Sequence, residues 1–314
     1  MANLHTIVNY FFIFYILVTL QHQYLAEIHH NTSTTNTLIL KAFQSPEGRI
    51  INGTLAKQGQ FPFQVYINAD NILCGGSIIN NNTVLTAAHC VYKQNNQLVS
   101  ASKTKIYAGG LKKSAMQRFK VRKVIPHENY DGEKFYNDIA ILKIKNTFWD
   151  GSPTQNIAPI SVTSLRFPSN TECTASGWGR TSANGQVSTE LMYTNLHIYS
   201  HNSCDEFYQK WTGSGITDSM ICTNDPMSTV CSGDSGGPLV VNNQETGNIT
   251  QLVGIVSFGI LGCPTSAPSV YTDAYQYKDW IEKNSNSYGI SYHASSWHVL
   301  YSVLFSSLIL YFKP

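Results

Sequence analysis

The sequence predicts an all-β fold, a barrel or a sandwich, because short apolar runs alternate with turn-forming residues along most of the chain. The runs are rich in Val, Ile, Tyr and Phe, which favour strands, and Gly and Asn separate them. Apolar residues make up 42% of the 314 residues, so one large β domain or two ordinary domains can bury a sizeable core. The predicted strands cover residues 63–67, 77–79, 105–108, 121–125, 139–144 and 252–258.

A short helix is expected to close this domain. Tyr277, Trp280 and Ile281 have the i, i+3, i+4 spacing that is typical of an amphipathic helix. The spacing predicts a helix that ends around residue 284.

The charge composition gives no reason to expect a nucleic-acid partner. Charged residues make up only 13% of the chain, and 21 Lys and Arg against 19 Asp and Glu leave a net charge of +2. The sequence contains no contiguous basic block of the kind that binds nucleic acid, and no acidic tail that would form a disordered interaction arm.

The first 49 residues are interpreted as two segments that precede the mature protein. Residues 11–20 form an apolar run of the length found in secretory signals and too short to span a bilayer. A buried strand is the alternative interpretation of this run. We assign residues 1–23 to a signal peptide and the polar, irregular residues 24–49 to a propeptide.

Two further features agree with secretion. Seven cysteines fit an oxidising compartment. Asn-X-Ser/Thr triplets, the acceptors of N-glycosylation, begin at Asn31, Asn52, Asn81 and Asn248. The protein is therefore expected to be extracellular.

The end of the chain, residues 285–314, combines a polar spacer with an apolar tail. Residues 298–312 are strongly apolar, and a polar stretch that begins with Asn284, Ser285 and Asn286 precedes them. A small triplet, a spacer and a terminal apolar tail are the pattern of a glycosylphosphatidylinositol signal, which predicts a membrane attachment through a lipid anchor. Two alternatives remain open: a short transmembrane anchor, and an additional strand or helix packed on the domain.

Three motifs carry the chemistry of the chain. They are Thr86-Ala-Ala-His89-Cys90, Asn137-Asp138-Ile-Ala140 and Gly233-Asp234-Ser235-Gly-Gly-Pro238. Together, and in this order, they resemble the catalytic segments of the chymotrypsin/trypsin family of serine proteases, in particular insect-type chymotrypsin-like secreted zymogens. The resemblance covers residues 50–284, the expected catalytic domain. It implies two packed six-stranded antiparallel β-barrels with a short C-terminal helix, and an active site in the cleft between them.

The resemblance implies a catalytic triad of His89, Asp138 and Ser235. A serine hydroxyl is a poor nucleophile until a base removes its proton, and a histidine can accept that proton and return it to the leaving amine. The aspartate would orient the imidazole and stabilise its protonated form. The backbone N–H groups of Gly233 and Ser235 would bind the oxyanion.

A second implied feature is activation by cleavage between Arg49 and Ile50. The Ile50 amine that is freed would turn inward and pair with Asp234 beside the nucleophile. The sequence of the junction therefore implies a zymogen and a separate trypsin-like activating protease as a partner.

The resemblance also implies three disulfides: Cys74–Cys90, Cys204–Cys222 and Cys231–Cys263. Cys173 departs from the family pattern, because Val241 stands where its partner is expected. It is predicted to be a free, buried and inert thiol, with an intermolecular disulfide as the alternative. The propeptide has no cysteine, so no disulfide would tether it after cleavage.

The specificity pocket implied by the resemblance has Thr229 at its base and Gly259 and Ser269 in its walls. Thr229 carries no charge that could pair with Arg or Lys, Gly259 leaves the entrance open, and Ser269 narrows the depth. We therefore expect cleavage after apolar residues, aromatic or Leu-like. Ser257, Phe258 and Gly259 resemble the strand that pairs with the substrate backbone.

We expect no metal and no cofactor. The loop at residues 110–114 stands where relatives bind calcium, but it has two lysines and no carboxylate. No His/Cys cluster has zinc spacing. The expected partners are protein substrates, the activator and protein protease inhibitors.

Two functions compete at this point. The first is an active serine endopeptidase. The second is a catalytically silent relative that uses the same fold for binding or regulation. Silent relatives commonly lack a triad residue, whereas this chain has all three together with the glycine at 233.

Overall fold

The computed structural model describes residues 50–182, 185–242 and 249–285. The signal peptide, the propeptide, Arg49, Asn31, Asn248 and the tail after Ser285 lie outside these residues. None of the helices within the described ranges is long and apolar enough to cross a membrane.

Within these ranges the chain forms fourteen strands, which fall into two sheets, and two α-helices. The strands are β1 (Thr54–Leu55), β2 (Gln64–Ala69), β3 (Ile72–Asn80), β4 (Thr83–Thr86), β5 (Thr104–Ala108), β6 (Gln117–Pro126), β7 (Ala140–Ile144), β8 (Ser161–Val162), β9 (Glu172–Gly177), β10 (Met192–His197), β11 (Met220–Thr223), β12 (Pro238–Asn242), β13 (Ile249–Phe258) and β14 (Ser269–Asp273). The helices are α1 (His201–Thr212) and α2 (Lys278–Ser285).

The first sheet is a closed antiparallel barrel with the order β2-β3-β4-β7-β6-β5. Asp70 and Asn71 join β2 to β3 with positive φ angles of 51° and 76°, as the two central residues of a type I′ hairpin turn require. Alternation along the strands sends one face inward, where Ile67, Ile106 and Ile141 are fully buried. This barrel confirms the predicted all-β class and the strands expected between residues 63 and 144.

The second sheet contains eight strands in the described residues, and six of them return on themselves. The order is β1-β10-β9-β12-β13-β14-β11, with β8 added in parallel to β13. An isolated bridge between Ile198 and Thr223 joins the ends of β10 and β11, and the Tyr199 amide donates to the Cys222 carbonyl across the same seam at 2.8 Å. The strands from β10 to β11 in this order therefore form the second barrel. The short strands β1 and β8 are added to it at β10 and β13.

The structure has a helix that the sequence analysis did not predict. The helix α1 begins after Ser200, whose side chain accepts from the Ser203 amide, and ends at Gly213, which has a φ of 73°. Its buried residues Cys204 and Tyr208 are one turn apart. The predicted closing helix is confirmed as α2.

Candidate active site

The centre of the site is a hydrogen-bonded pair of His89 and Asp138. His89 lies in a 3₁₀ turn at Ala88–Val91, directly after β4, and Asp138 lies just before β7, the neighbour of β4. The His89 Nδ1 atom is 2.8 Å from Asp138 Oδ2, and the His89 backbone N–H donates to Asp138 Oδ1 at 2.9 Å. The carboxylate therefore fixes both the ring and the backbone of the histidine.

Two further hydroxyl groups hold Asp138 in place. The Ser257 hydroxyl donates to Asp138 Oδ2 at 2.6 Å, and the Thr272 hydroxyl donates to the Asp138 backbone carbonyl at 2.7 Å. Burial alone would raise the pKa of the Asp138 carboxyl, but the His89 charge and the hydrogen bonds from His89 and Ser257 outweigh it and lower the pKa. Asp138 is therefore ionised at neutral pH.

The same pair controls the basicity of the imidazole. Burial alone would lower the pKa of His89, but the charge and the hydrogen bond of Asp138 outweigh burial and raise the pKa above its ordinary value. The bond to Asp138 uses Nδ1, so Nε2 is the nitrogen available to a reacting group.

Ser235 lines the same cavity as His89. The hydrogen bonds within the described residues do not include one between His89 Nε2 and Ser235 Oγ, and Nε2 lies 3.7 Å from Cys90 Sγ. Such bonds are often long before a substrate binds. The backbone around Ser235 is fixed, since its carbonyl accepts from the Gly75 amide of the first barrel at 2.8 Å and the Gly236 amide donates to the Val256 carbonyl of the second at 2.7 Å.

The loop that precedes Ser235 requires glycine at 233. Gly233 has a φ of 103°, and a Cβ atom there would lie 3.0 Å from the Gly179 Cα atom. A side chain at this position would therefore be strained and crowded at once. The Asp234 amide donates to the Cys231 carbonyl at 2.9 Å, which closes the turn.

Asp234 is completely buried beside this loop. Its carboxylate accepts from the backbone amides of Gly179 at 2.8 Å and Cys231 at 2.9 Å. Within the described part of the chain, no Lys, Arg or His forms an ion pair with it. Burial raises the pKa of the Asp234 carboxyl to about 6, although the two amides act against this rise.

The segment that follows the expected cleavage point packs against the stretch of chain between β11 and β12. Ile50 is fully buried, and Ile51 forms an antiparallel bridge with Thr229. The Asn52 side chain donates to the Met227 carbonyl at 2.5 Å. Asn52 is also one of the two described asparagines of the N-glycosylation triplets, and it is exposed. The side-chain amide of the other, Asn81, is engaged in hydrogen bonds to the Trp149 backbone through both its nitrogen and its oxygen.

The cavity beside Ser235 has a volume of about 280 Å³ and is lined by the residues expected to form the specificity pocket. At its base, the Thr229 and Ser269 hydroxyls are 2.8 Å apart and hydrogen-bond to each other. A Cβ atom on Gly259 would meet only the Ser269 hydroxyl, at 3.8 Å, so nothing crowds this wall. The lining contains His89, Thr229, Ser235, Ser257, Phe258, Gly259 and Ser269, and no Asp, Glu, Lys or Arg of the described residues.

Phe135 belongs to this site and was missed by the sequence analysis. It lines the cavity, packs edge-on against His89 with ring centroids 5.7 Å apart, and lies 5.4 Å from the Phe258 ring. Its φ of 54° is unusual for an aromatic residue and indicates a constrained loop. The only sequence signal was its place three residues before Asp138.

Three disulfides stabilise the two barrels around the site: Cys74–Cys90, Cys204–Cys222 and Cys231–Cys263. These are the pairs that the resemblance implied. Cys173 is unpaired and buried, and burial raises the pKa of its thiol far above the ordinary range, so the inert thiol is the form that this site favours. Val241 is the residue directly opposite Cys173 on the neighbouring strand.

The described residues contain two places where a metal ion could be expected. In the loop at residues 110–114, the Lys113 ammonium lies 4.2 Å from the centre of the Tyr66 ring, which is a cation–π contact. Cys74, His89 and Cys90 bring potential ligand atoms together, but the two sulfur atoms are joined in a disulfide and are not available as thiolates. The absence of a metal stays a prediction.

Comparisons with known proteins agree with one another. A family model described as Trypsin matches residues 50–281. The chain is 36% identical over 242 residues to Serine protease SP24D of Anopheles gambiae, covering 76% of this chain and 82% of that protein. It is 34% identical to Chymotrypsin-2 of Vespa crabro, covering 75% and 99%, and 35% identical to Trypsin-1 of Astacus astacus, covering 75% and 100%. Since a chymotrypsin and a trypsin match within one percentage point of identity, 34% and 35%, these names do not assign the residue after which the chain would cut.

Proposed function

The chain belongs to the trypsin family of serine proteases and is a serine endopeptidase, and from this premise we propose that it is a secreted zymogen that, once cleaved after Arg49, hydrolyses peptide bonds after apolar residues. The observation that carries the proposal is the His89–Asp138 pair, which opens on a cavity shared with Ser235 and free of charged lining residues among those described.

In the proposed mechanism, His89 Nε2 removes the proton of the Ser235 hydroxyl as its oxygen attacks the substrate carbonyl. The proton then passes from His89 to the leaving amine, and a water molecule repeats the sequence to release the acyl group. Asp138 keeps Nδ1 protonated and stabilises the imidazolium that forms between the two transfers. The roles follow the triad of this family, and the hydrogen bonds to Asp138 support them.

The oxyanion would be bound by the backbone N–H groups of Gly233 and Ser235. The positive φ of Gly233 supports this role, because it gives the loop a conformation that other residues rarely adopt. Losing one such donor typically costs about 3 kcal/mol of barrier.

The preference for apolar side chains follows from the chemistry of the pocket base. The Thr229 and Ser269 hydroxyls satisfy each other, so a neutral substrate side chain leaves no buried charge without a partner. A Lys or Arg side chain would find no carboxylate there and would lose its hydration. We expect Phe, Tyr and Leu before the cleaved bond. The protein would cleave its own Arg49 junction poorly, so a separate trypsin-like protease would be its activator.

Activation would act through Asp234. Cleavage after Arg49 frees an ammonium group on Ile50, and this group would supply the cation that the buried carboxylate otherwise lacks. The burial of Ile50 and the bridge between Ile51 and Thr229 support this switch, because they place the start of the mature chain against the segment that leads to Asp234.

Labelling with a serine-directed organophosphate tests the enzyme against the silent relative. The purified chain, cleaved after Arg49, should take up one label, and peptide mapping should place it on Ser235. The Ser235→Ala variant and an uncleaved Arg49→Gln variant serve as controls with little labelling. A cleaved wild-type chain that does not react would favour a binding or regulatory role.

A peptide-library cleavage profile tests the specificity. The activated enzyme should cut after aromatic residues and Leu, and Thr229→Asp should impair these cuts. A dominant preference for Arg or Lys in the wild-type enzyme would contradict the proposed pocket.

Secretion is supported by the three disulfides, since such bonds persist in oxidising compartments. Attachment to the cell surface through residues 285–314 is a separate proposal. A phosphatidylinositol-specific phospholipase should release the protein from expressing cells if the tail directs a lipid anchor. Retention after this treatment would exclude the anchor and leave the other two interpretations of the tail.

A further inference from the structure

The first barrel concentrates positive charge on one outer surface. Between Asp70 and Glu128 the sequence contains nine Lys and Arg and no Asp or Glu. Phe119 and Val121 of β6 are buried, and the residues that alternate with them are exposed cations. We call this surface the basic strip: Lys105 of β5, Arg118, Lys120, Arg122 and Lys123 of β6, and Lys145 after β7.

The strip is continuous across neighbouring strands. Lys105 is directly opposite Lys120 in the register of β5 and β6, and the Lys145 amide donates to the Lys120 carbonyl at 2.8 Å. Alternate residues of a strand are about 7 Å apart, so the cations on β6 form a row with a regular repeat. A bulge between Val121 and Lys123 adds a second cation at the end of the row.

The charges of the strip are not neutralised by the described part of the protein. Nearby lysines outside the strip form ion pairs: Lys93 and Lys103 with Asp70, and Lys112 with Glu190. No ion pair of the described residues includes a member of the strip. Like charges directly opposite each other on a sheet are destabilising, so the pair of Lys105 and Lys120 reduces stability.

The positive field of the strip also reaches the barrel interior. Lys143 is buried, and burial, together with the charges of Arg122 and Lys123, lowers the pKa of its ammonium to about 8. The lowered pKa of Lys143 agrees with the high density of unpaired positive charge on the strip. A polyanion laid along the strip would relieve both effects.

We propose that the basic strip binds a linear sulfated polysaccharide. Arginine side chains on the strip offer planar pairs of N–H donors, which suit the oxygens of a sulfate group. A polymer with a regular charge repeat matches a row of cations along a strand. The inference goes beyond the proposed peptidase function, and secretion would place the strip among such polymers.

Other anionic partners fit the strip less well. None of the large apolar residues exposed in the described ranges lies between residues 105 and 145, so the strip has no side chains to insert into a membrane. Single-stranded nucleic acid would need aromatic rings for base stacking. Tyr107 of β5, beside the strip, is half-buried and packs against Tyr66 with ring centroids 6.1 Å apart.

The strip is separate from the active-site cavity, since none of its residues lines that cavity. A bound polysaccharide would therefore leave the peptidase site open. This separation also makes the proposal testable independently of catalysis.

The test is binding of a size-defined heparin fragment to the full chain, measured by titration at several salt concentrations. The triple variant Arg118→Ala/Lys120→Ala/Arg122→Ala should bind about 100-fold more weakly, at about fivefold for each cation removed near an anionic surface. Its affinity should also depend less steeply on salt, because fewer counterions are released. Activity on a small peptide should be unchanged in this variant, which shows that it is folded.

The matched control is Lys57→Ala/Lys210→Ala/Lys283→Ala, which removes the same charge from exposed positions outside the strip. It should bind the fragment within about threefold of the wild type. Equal losses in both triple variants would reduce the effect to net charge and overturn the proposal. Tighter binding at equal salt to phosphatidylserine vesicles, single-stranded DNA or polyglutamate than to heparin would also overturn it, as would undiminished binding of desulfated heparin.

Discussion

Because Asp234 is buried, the stabilisation that zymogen cleavage provides can be measured as a pH-dependent change in the free energy of unfolding. Its pKa of about 6 in the uncleaved chain lies above the ordinary value of 3.8. The folded precursor therefore keeps this proton longer than the unfolded chain does, and the associated stability is lost as the pH rises towards 6. The penalty grows from about 1 kcal/mol at pH 4.5 to about 3 kcal/mol at pH 7.5.

Cleavage after Arg49 should remove this penalty at neutral pH. The new Ile50 ammonium, with an ordinary pKa of about 8, would pair with Asp234 and lower the pKa of the carboxyl. The cleaved chain should therefore gain stability over the precursor, and the gain should be about 2 kcal/mol larger at pH 7.5 than at pH 4.5. Effects of the cut itself that do not depend on pH cancel in this difference.

The measurement is urea unfolding of both forms at the two pH values. Both carry Ser235→Ala, which prevents self-digestion, and the precursor also carries Arg49→Gln. Adding Asp234→Asn to each form should abolish the pH-dependent part of the gain. A gain of the same size at pH 4.5 and pH 7.5 in the parent pair would refute the proposed role of this carboxylate.

Three further predictions concern single side chains. Ser257→Ala should reduce the free energy of unfolding at pH 7 by about 1.5–3 kcal/mol, because the bond to ionised Asp138 is lost. Urea titration should find a smaller loss as the pH falls through the lowered pKa of that carboxyl. Val241→Cys should form a disulfide with Cys173, its cross-strand neighbour, and add about 4 kcal/mol for a loop of about 70 residues; mass spectrometry without reductant would detect two free thiols if the bond does not form. Phe135→Ala should raise kcat/KM about tenfold for peptides with a bulky residue before the cleaved bond, because it enlarges the cavity that Phe135 lines. An unchanged peptide-library profile would contradict the place of Phe135 in the cavity wall.

The segments that meet at the candidate site could be found in the sequence because the characteristic residues of each motif are adjacent along the chain. The strands of the first barrel were also predictable, since short runs rich in Val, Ile, Tyr and Phe are separated by Gly and Asn. The helix α1 was missed even though Cys204, Phe207, Tyr208 and Trp211 follow the spacing of an amphipathic helix. The neighbouring segments have the residue pattern of strands, and the helical spacing of these four residues was overlooked among them.

Contacts between distant segments could not be predicted from patterns. The bond from Ser257 to Asp138 joins residues 119 positions apart, and Phe135 enters the site only because its loop folds over His89. The basic strip has the same origin. The sequence contains no basic block, but strand pairing places cations from three separate segments on one surface.

The last helix returns the chain from the second barrel to the first. The helix α2 follows β14 closely, yet Tyr277 and Ile281 are part of the core that fills the first barrel. The Lys143 ammonium of β7 donates to the Ser285 carbonyl at the end of the helix and to the Thr83 hydroxyl at 2.8 Å. A pulling force applied to the chain after Ser285 would therefore be carried first by the half of the molecule that holds His89 and Asp138. Such a force would have to detach the helix α2 from the first barrel before it could separate β14 from the second sheet. The two halves of the molecule would therefore come apart slowly under force.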